Sequence, residues 1–343
     1  MLIPLNFRRL SLICLCSVPF SLYLGGIPSG LAQNTLDSPG EDLSDPSNVR
    51  PLTESDSLLS LQGGERLMAE SITAIDNQDY SLAAKKLQEA RQIFNQLTNF
   101  YQQLSNSFSG IYQPVSESQK SSALAAAQKR DEATYKLALV HRANNQPELA
   151  VPLLAQVIRS QNPTTELGSK AYRQLYELGF VDIAFPPGDP SFNNELRPLK
   201  QSDSFLSLLG GDRLMSEAIN ASNSQNYSLA TKKFQESRQV FNQLTNFYQQ
   251  LSSGFTGIDT EVSDSLRVKA LRAAQKRDDA TYRLALAHKS NQQPELAVPL
   301  FIQIVRSQNP TSQLGQEAYQ QLLELGFVES PYPPVEESVI NDQ

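Results

Sequence analysis

The chain contains itself twice. Residues 56–187 align on residues 203–334 without a gap, at a constant offset of 147, and 86 of the 132 aligned positions are identical. The longest unbroken match is FNQLTNFYQQLS, at 94–105 and again at 241–252. Internal repetition constrains architecture before any local pattern does, because each copy must be able to adopt the same supersecondary unit. Two units of about 130 residues follow, each long enough to bury about two thirds of its unfolded surface. Their expected limits are 56–184 and 203–330. Between them, 185–202 reads as a linker, with FPPGDPSFNNELRPLK at 185–200 rich in Pro, Gly and Asn.

Within a unit the apolar period is helical throughout, and no run of alternating residues is long enough for a strand. The expected fold is all-α, five helices per unit. The first is expected over 64–76, with Leu67, Met68, Ser71, Ile72 and Ile75 on one side. In the second, Tyr80, Ala83, Leu87, Ala90, Phe94, Leu97, Tyr101 and Leu104 step alternately by three and four, a sustained seam for a neighbouring helix. Ser81 is the expected cap, and from there to Leu104 the helix would run about 36 Å. The third is expected over 117–143, with Ser116 and Gln119 at capping-box spacing. Pro147 opens the fourth, to Ser160. The fifth covers 165–178, with Gly179 placed to end it and Phe180 to make the accompanying contact.

The ends carry different information. Arg8 and Arg9 precede the apolar stretch LSLICLCSVPFSLYL, and small residues follow to SGLAQ. This is the layout of an export signal, cleaved most simply after Ala32. An uncleaved anchor is the alternative, although the stretch is shorter than the roughly 20 residues of a span. Cys14 and Cys16 are the only cysteines, so a chain cut there has no disulfide or thiol chemistry. It would hold 27 basic and 36 acidic residues, a charge of −9. An acidic exported chain without a basic cluster is poorly suited to nucleic acid or anionic lipid. Residues 33–55 and 331–343 read as polar flexible segments. The expected place is the periplasm, an equivalent lumen or the exterior.

The helical hairpins resemble the tetratricopeptide (TPR) repeat, whose two helices touch through small residues. The pattern is carried by Ala83, Leu87 and Ala90 after Tyr80. It recurs at Leu137, Ala138, His141, Ala150, Leu154 and Val157, closing at Pro163. The later copy has Ala230, Phe234 and Ser237, then Leu284, Ala285, His288, Ala297, Phe301 and Ile304. Two features depart from the family. The second helix is nearly twice the usual length, and an insert at 105–120 breaks the 34-residue spacing, so compact units are expected rather than a regular superhelix. The family's ligand groove is lined by first helices. The resemblance places there Met68, Ile72, Tyr135, Leu139 and Arg142, and in the second copy Met215, Ile219, Tyr282, Leu286 and Lys289. Tyrosine beside a cation suits a peptide with carboxylates and apolar side chains.

The residues offer little for catalysis. His141 and His288 are the only imidazoles, each at the family's large packing position, and neither has a metal-ligand spacing around it. Glu65, Glu70, Asp131 and Glu132 are available as acids, but helically spaced acids usually form a solvated face. Gly63–Gly64 and Gly210–Gly211 can serve as an anion cradle or as an entry to a helix. No cofactor or metal is expected. The identity of the polar residues in the repeated dodecamer remains to be explained. Asn95, Asn99 and Gln102, with Asn242, Asn246 and Gln249, form either internal amide contacts or an alternative recognition surface. The shared QKRD at 128–131 and 275–278 poses the same question. The expected function is a non-catalytic adaptor or scaffold for a protein or peptide, in envelope or membrane-complex assembly. The alternatives are a self-associating structural protein and, less favoured, an enzyme acting on peptidoglycan or polysaccharide.

Overall fold

A computed structural model describes residues 57–189 and 204–332. The export signal, segment 33–55, most of the linker and the tail from 333 lie outside the described residues. Ten helices and no strand are present among those described, so the chain is all-α. They are α1 (Leu61–Asp76), α2 (Tyr80–Phe108), α3 (Gln113–Ala143), α4 (Pro147–Gln161) and α5 (Glu166–Glu177). The order then repeats as α6 (Leu208–Asn223), α7 (Tyr227–Phe255), α8 (Thr260–Ser290), α9 (Pro294–Gln308) and α10 (Gln313–Glu324).

Local chemistry sets the boundaries, in places differently from the sequence reading. Ser60 caps α1 by accepting from the amide of Gly63 at 2.8 Å, so the two glycines sit inside the first turn. Asp79, not Ser81, caps α2, its carboxylate accepting from the Leu82 amide at 2.9 Å. A carboxylate at the positive end of a helix outcompetes a hydroxyl two residues later. The expected capping box at Ser116 does not form either. The helix starts earlier, at Gln113, with Pro114 in its first turn, where a fixed φ and a missing amide cost nothing. The Ser116 hydroxyl instead donates to the Ser105 carbonyl at 3.0 Å, while Ser105 donates to the Ser116 carbonyl at 2.8 Å. This reciprocal pair staples the far end of α2 to the start of α3. It recurs between Ser252 and Ser263.

At the end of α5, Gly179 has a φ of +74°. Its amide donates to the Tyr176 carbonyl, and the Phe180 amide to Leu175, both at 2.9 Å. This is the reversed pair of bonds that closes a helix through a left-handed residue. Gly326 and Phe327 repeat it.

Successive helices pack as hairpins, α1 on α2, α2 on α3, α3 on α4 and α4 on α5, and likewise α6 to α10. The small residues that carry the repeat pattern are fully buried where helices meet: Ala83, Ala90, Ala138 and Ala150, then Ala230, Ala285 and Ala297. Ser237 takes the place of Ala90 and donates to the Gly211 carbonyl of α6 at 2.9 Å. Gly64 and Gly211 serve the same closeness. A Cβ at either would lie 2.4 Å from the ring of Phe94 or Phe241, the first residue of the repeated dodecamer.

The two copies share a core. Helix α4 packs on α7, and the largest apolar cluster runs from Ala138 through α4 and α5 into α6, α7 and α8. Phe185, first residue of the expected linker, is buried in it. Smaller clusters fill the α1–α3 and α9–α10 ends.

Candidate protein-binding surfaces

The charged stretch QKRD is a connector: its lysine and its aspartate reach partners far along the chain, and its arginine pairs with that aspartate. Lys129 pairs with Glu65 of α1 at 2.6 Å. Arg130 pairs with Asp131 at 2.9 Å, and the second oxygen of Asp131 accepts from Gln161 at the end of α4 at 2.7 Å. Asp131 is 1% exposed, and a buried carboxylate is tolerated only with such partners. In the second copy Lys276 reaches Asp212, Arg277 pairs with Asp278, and Asp278 accepts from Ser307 and Gln308. Beside this network Arg91 donates to Gln156 and Arg238 to Gln303. Burial first, and the neighbouring Arg130 or Arg277 second, push both guanidiniums below their ordinary pKa.

The other acids considered for catalysis are similarly engaged. Glu70 pairs with Lys86 at 2.6 Å and Glu132 with Lys136 at 3.0 Å. His141 and His288 are half-buried, each with Nδ1 3.0 Å from the side-chain oxygen of Gln146 or Gln293 at the start of the next helix. They tie one helix to the next. Among the described residues no group of three or more His, Cys, Asp or Glu could hold a metal ion. The helix-entry glycines are buried against the loop before α1 and the Phe94 ring, in the space an anion would need.

The groove positions are unevenly available. Met68 and Met215 are core residues, 5% and 9% exposed. Ile72 is exposed, and Ile219, Tyr135, Leu139, Tyr282 and Leu286 are half-buried. Burial raises the pKa of both Tyr135 and Tyr282, and Tyr282 stands edge-on to Phe301. The two cations are already occupied. Arg142 donates to Gln174 and pairs with Glu177 at 2.5 Å. Lys289 donates to Gln321 at 2.7 Å and pairs with Glu324 at 2.6 Å. Each ties its helix to the last helix of its copy, so a partner carboxylate would have to displace an internal one.

The alternative surface is open. Asn95, Asn99, Gln102, Asn242, Asn246 and Gln249 are all exposed. Gln102 lines a cleft of about 860 Å³ between α2 and α3, with Ser105, Lys120 and Leu124. Gln249 lines its counterpart of about 370 Å³ between α7 and α8, with Ser252, Arg267 and Leu271. Leu124 and Leu271, 147 residues apart, are 61% and 60% exposed. Sequence reasoning did not single them out, although both break the polar face of a long helix in the same place. No helix among the described residues is long and apolar enough to cross a membrane.

No family model matches the chain, and no curated protein matches it. Among solved structures, the crystal structure of the TPR domain of P58(IPK) aligns over 77% of this chain and 66% of its own, a little under two thirds. Identity is 14% and the TM-score is 0.17. A score that low leaves the arrangement of these helices to be read from their own contacts.

Proposed function

We propose that this chain is an exported, non-catalytic, TPR-like scaffold that holds a protein partner at the two repeated clefts, α2–α3 and α7–α8. The observation that carries this reading is the matched pair of exposed leucines, Leu124 and Leu271, each beside a dodecamer glutamine and one basic residue. Isolated exposed leucines need no explanation, but the same leucine kept in the same cleft twice does. An apolar contact flanked by amides and a cation suits an extended peptide carrying an apolar and an acidic side chain. Export rests on Arg8, Arg9, the apolar stretch to Leu24 and the small residues up to Ala32. The setting that fits is assembly of an envelope or membrane complex.

A photo-crosslinking residue at Leu124 or Leu271, in the producing cell, tests the site. Tyr135 and Tyr282 report on the groove, and exposed Lys85 serves as background. Adducts of one size at 124 and 271 are expected. Adducts confined to 135 and 282 would move the site to the groove, and none above the Lys85 background would remove the reading. Fractionation and N-terminal sequencing of the same protein test export and cleavage at Ala32.

A further inference from the structure

We propose that copies of this chain associate head to tail, the α9–α10 end of one docking on α2 of the next as α4–α5 docks on α7 within the chain. The internal joint is the template. Its rings meet as Phe180 on Phe247 at 5.9 Å and Tyr172 on Phe255 at 4.9 Å. Arg159 donates to Gln250 at 2.9 Å. Ile158 lies 3.9 Å from where a Cβ on Gly254 would stand.

Both halves of that joint exist a second time, unjoined among the described residues. Shifted by 147 residues, the docking side becomes Arg306, Tyr319 and Phe327, and the receiving side becomes Phe100, Gln103 and Phe108. Phe180 is 1% exposed and Phe327 59%. Phe247 is 8% exposed and Phe100 56%. Leu251 and Phe255 are fully buried, whereas Leu104 and Phe108 are half-exposed. Arg306 and Gln103, the counterparts of the hydrogen-bonded pair, both face solvent.

The free faces already have the docked shape. Tyr319 donates to the Ser330 carbonyl at 2.9 Å, as Tyr172 donates to Ile183 at 2.8 Å. The Tyr319 and Tyr332 rings stand 6.1 Å apart, and Tyr172 and Phe185 6.0 Å. Phe100 meets Tyr101 edge-on as Phe247 meets Tyr248. Faces preformed in this way lose little freedom on binding. One substitution is compensated. Ser107 replaces Gly254, and Val305, one carbon shorter, replaces Ile158. The internal Lys269–Asp182 ion pair has no equivalent, since Ser122 would face Glu329. The joint between copies is therefore the weaker and reversible version of the one within. It is heterologous, so assembly continues into a ring or filament rather than stopping at a twofold dimer. It also gives Phe100 and Gln103 of the repeated dodecamer a reason to match Phe247 and Gln250. This face of α2 points away from the α2–α3 cleft, and the proposal does not rest on the cleft reading.

Sedimentation velocity on the full chain, from about 1 µM to about 100 µM, spans the range of a reversible contact. Wild type is expected to grow with concentration. Phe100→Asp and Phe327→Asp alter exposed positions, so helical content is expected to be unchanged, and each variant alone is expected to stay monomeric. Mixed one to one, they retain one good face each and should form dimers and nothing larger. A monomeric wild type throughout overturns the proposal. So does a wild type that assembles while either variant still does so alone, or while the mixture stays monomeric.

Discussion

Phe180 and Phe327 follow the same helix end, the same left-handed glycine and the same pair of backbone bonds, yet one is in the core and the other in solvent. Phe247 and Phe100 differ in the same way, inside an identical dodecamer. Local sequence therefore determines the closing turns and the ring-on-ring contacts at these positions in both copies alike. What separates the copies is a neighbour. The first copy has the second to cover its α4–α5 end, whereas among the described residues no further helix covers the α9–α10 end. The two units are thus one body, in which two complementary faces are joined once and each is displayed once more.

The sharpest way to break this comparison is to truncate the same ring in both places. Phe255 is fully buried against Tyr172 and Phe185, and Phe255→Ala should cost about 3–5 kcal/mol, as large cavities do. Phe108→Ala removes a half-exposed ring and should cost about 1 kcal/mol. Urea unfolding of the two variants measures both. Equal losses would mean that the joint between the copies contributes no core.

The buried carboxylates should instead behave alike, because their partners lie within their own copies. Asp131→Asn and Asp278→Asn each weaken charge-assisted bonds to an arginine and a glutamine, at about 1.5–3 kcal/mol. Thermal unfolding should show similar shifts for the two. A much smaller loss at one position would show that its network is not the connector described. If function persists in folded Asp131→Asn, the acid also leaves the list of catalytic candidates.

These cases show where legibility stopped. Helix number and order were readable because the seam of Ala83, Leu87, Ala90 and Phe94 is local and periodic. The caps at Ser81 and Ser116 misled because the Asp79 carboxylate two residues earlier takes the α2 cap, and because α3 starts at Gln113 and leaves Ser116 to pair with Ser105. The role of QKRD was hidden because its partners Glu65 and Gln161 are remote in sequence. The joint between the copies was hidden by the identity itself, since an alignment draws attention to what both copies share. The differences held the signal. Leu266 stands where the first copy has Gln119, and Gly254 where it has Ser107. The second copy's receiving face is thus more apolar and more closely approachable, as a covered surface requires. For the candidate site, Gln102 and Gln249 were legible as an exposed repeated pair. Leu124 and Leu271 were not, because an apolar residue on a long helix reads as core until its neighbours are known.

The smallest expected effect at neutral pH becomes visible in alkali. Tyr172 is buried, and burial above all, with Asp259 and Asp182 nearby, holds its hydroxyl pKa far above the ordinary value. An unfolded tyrosine ionises near pH 10. Above that pH the unfolded chain releases a proton that the folded chain keeps. Stability from this group is therefore complete below about pH 10 and falls by about 1.4 kcal/mol per unit above it. Tyr172→Phe removes that slope, at the neutral cost of the bond to Ile183, about 1 kcal/mol. Tyr319→Phe deletes the equivalent bond at an exposed place and should cost about 0.5 kcal/mol or less. Urea midpoints from pH 8 to pH 11 should show wild type and Tyr172→Phe converging near about pH 11, with Tyr135 and Tyr282, also raised by burial, leaving a shared residual slope. Parallel curves would mean that Tyr172 meets water, and hence that α5 does not seal against α7. The joint that distinguishes the two copies would then be open in solution, and the free faces that repeat it would have no template.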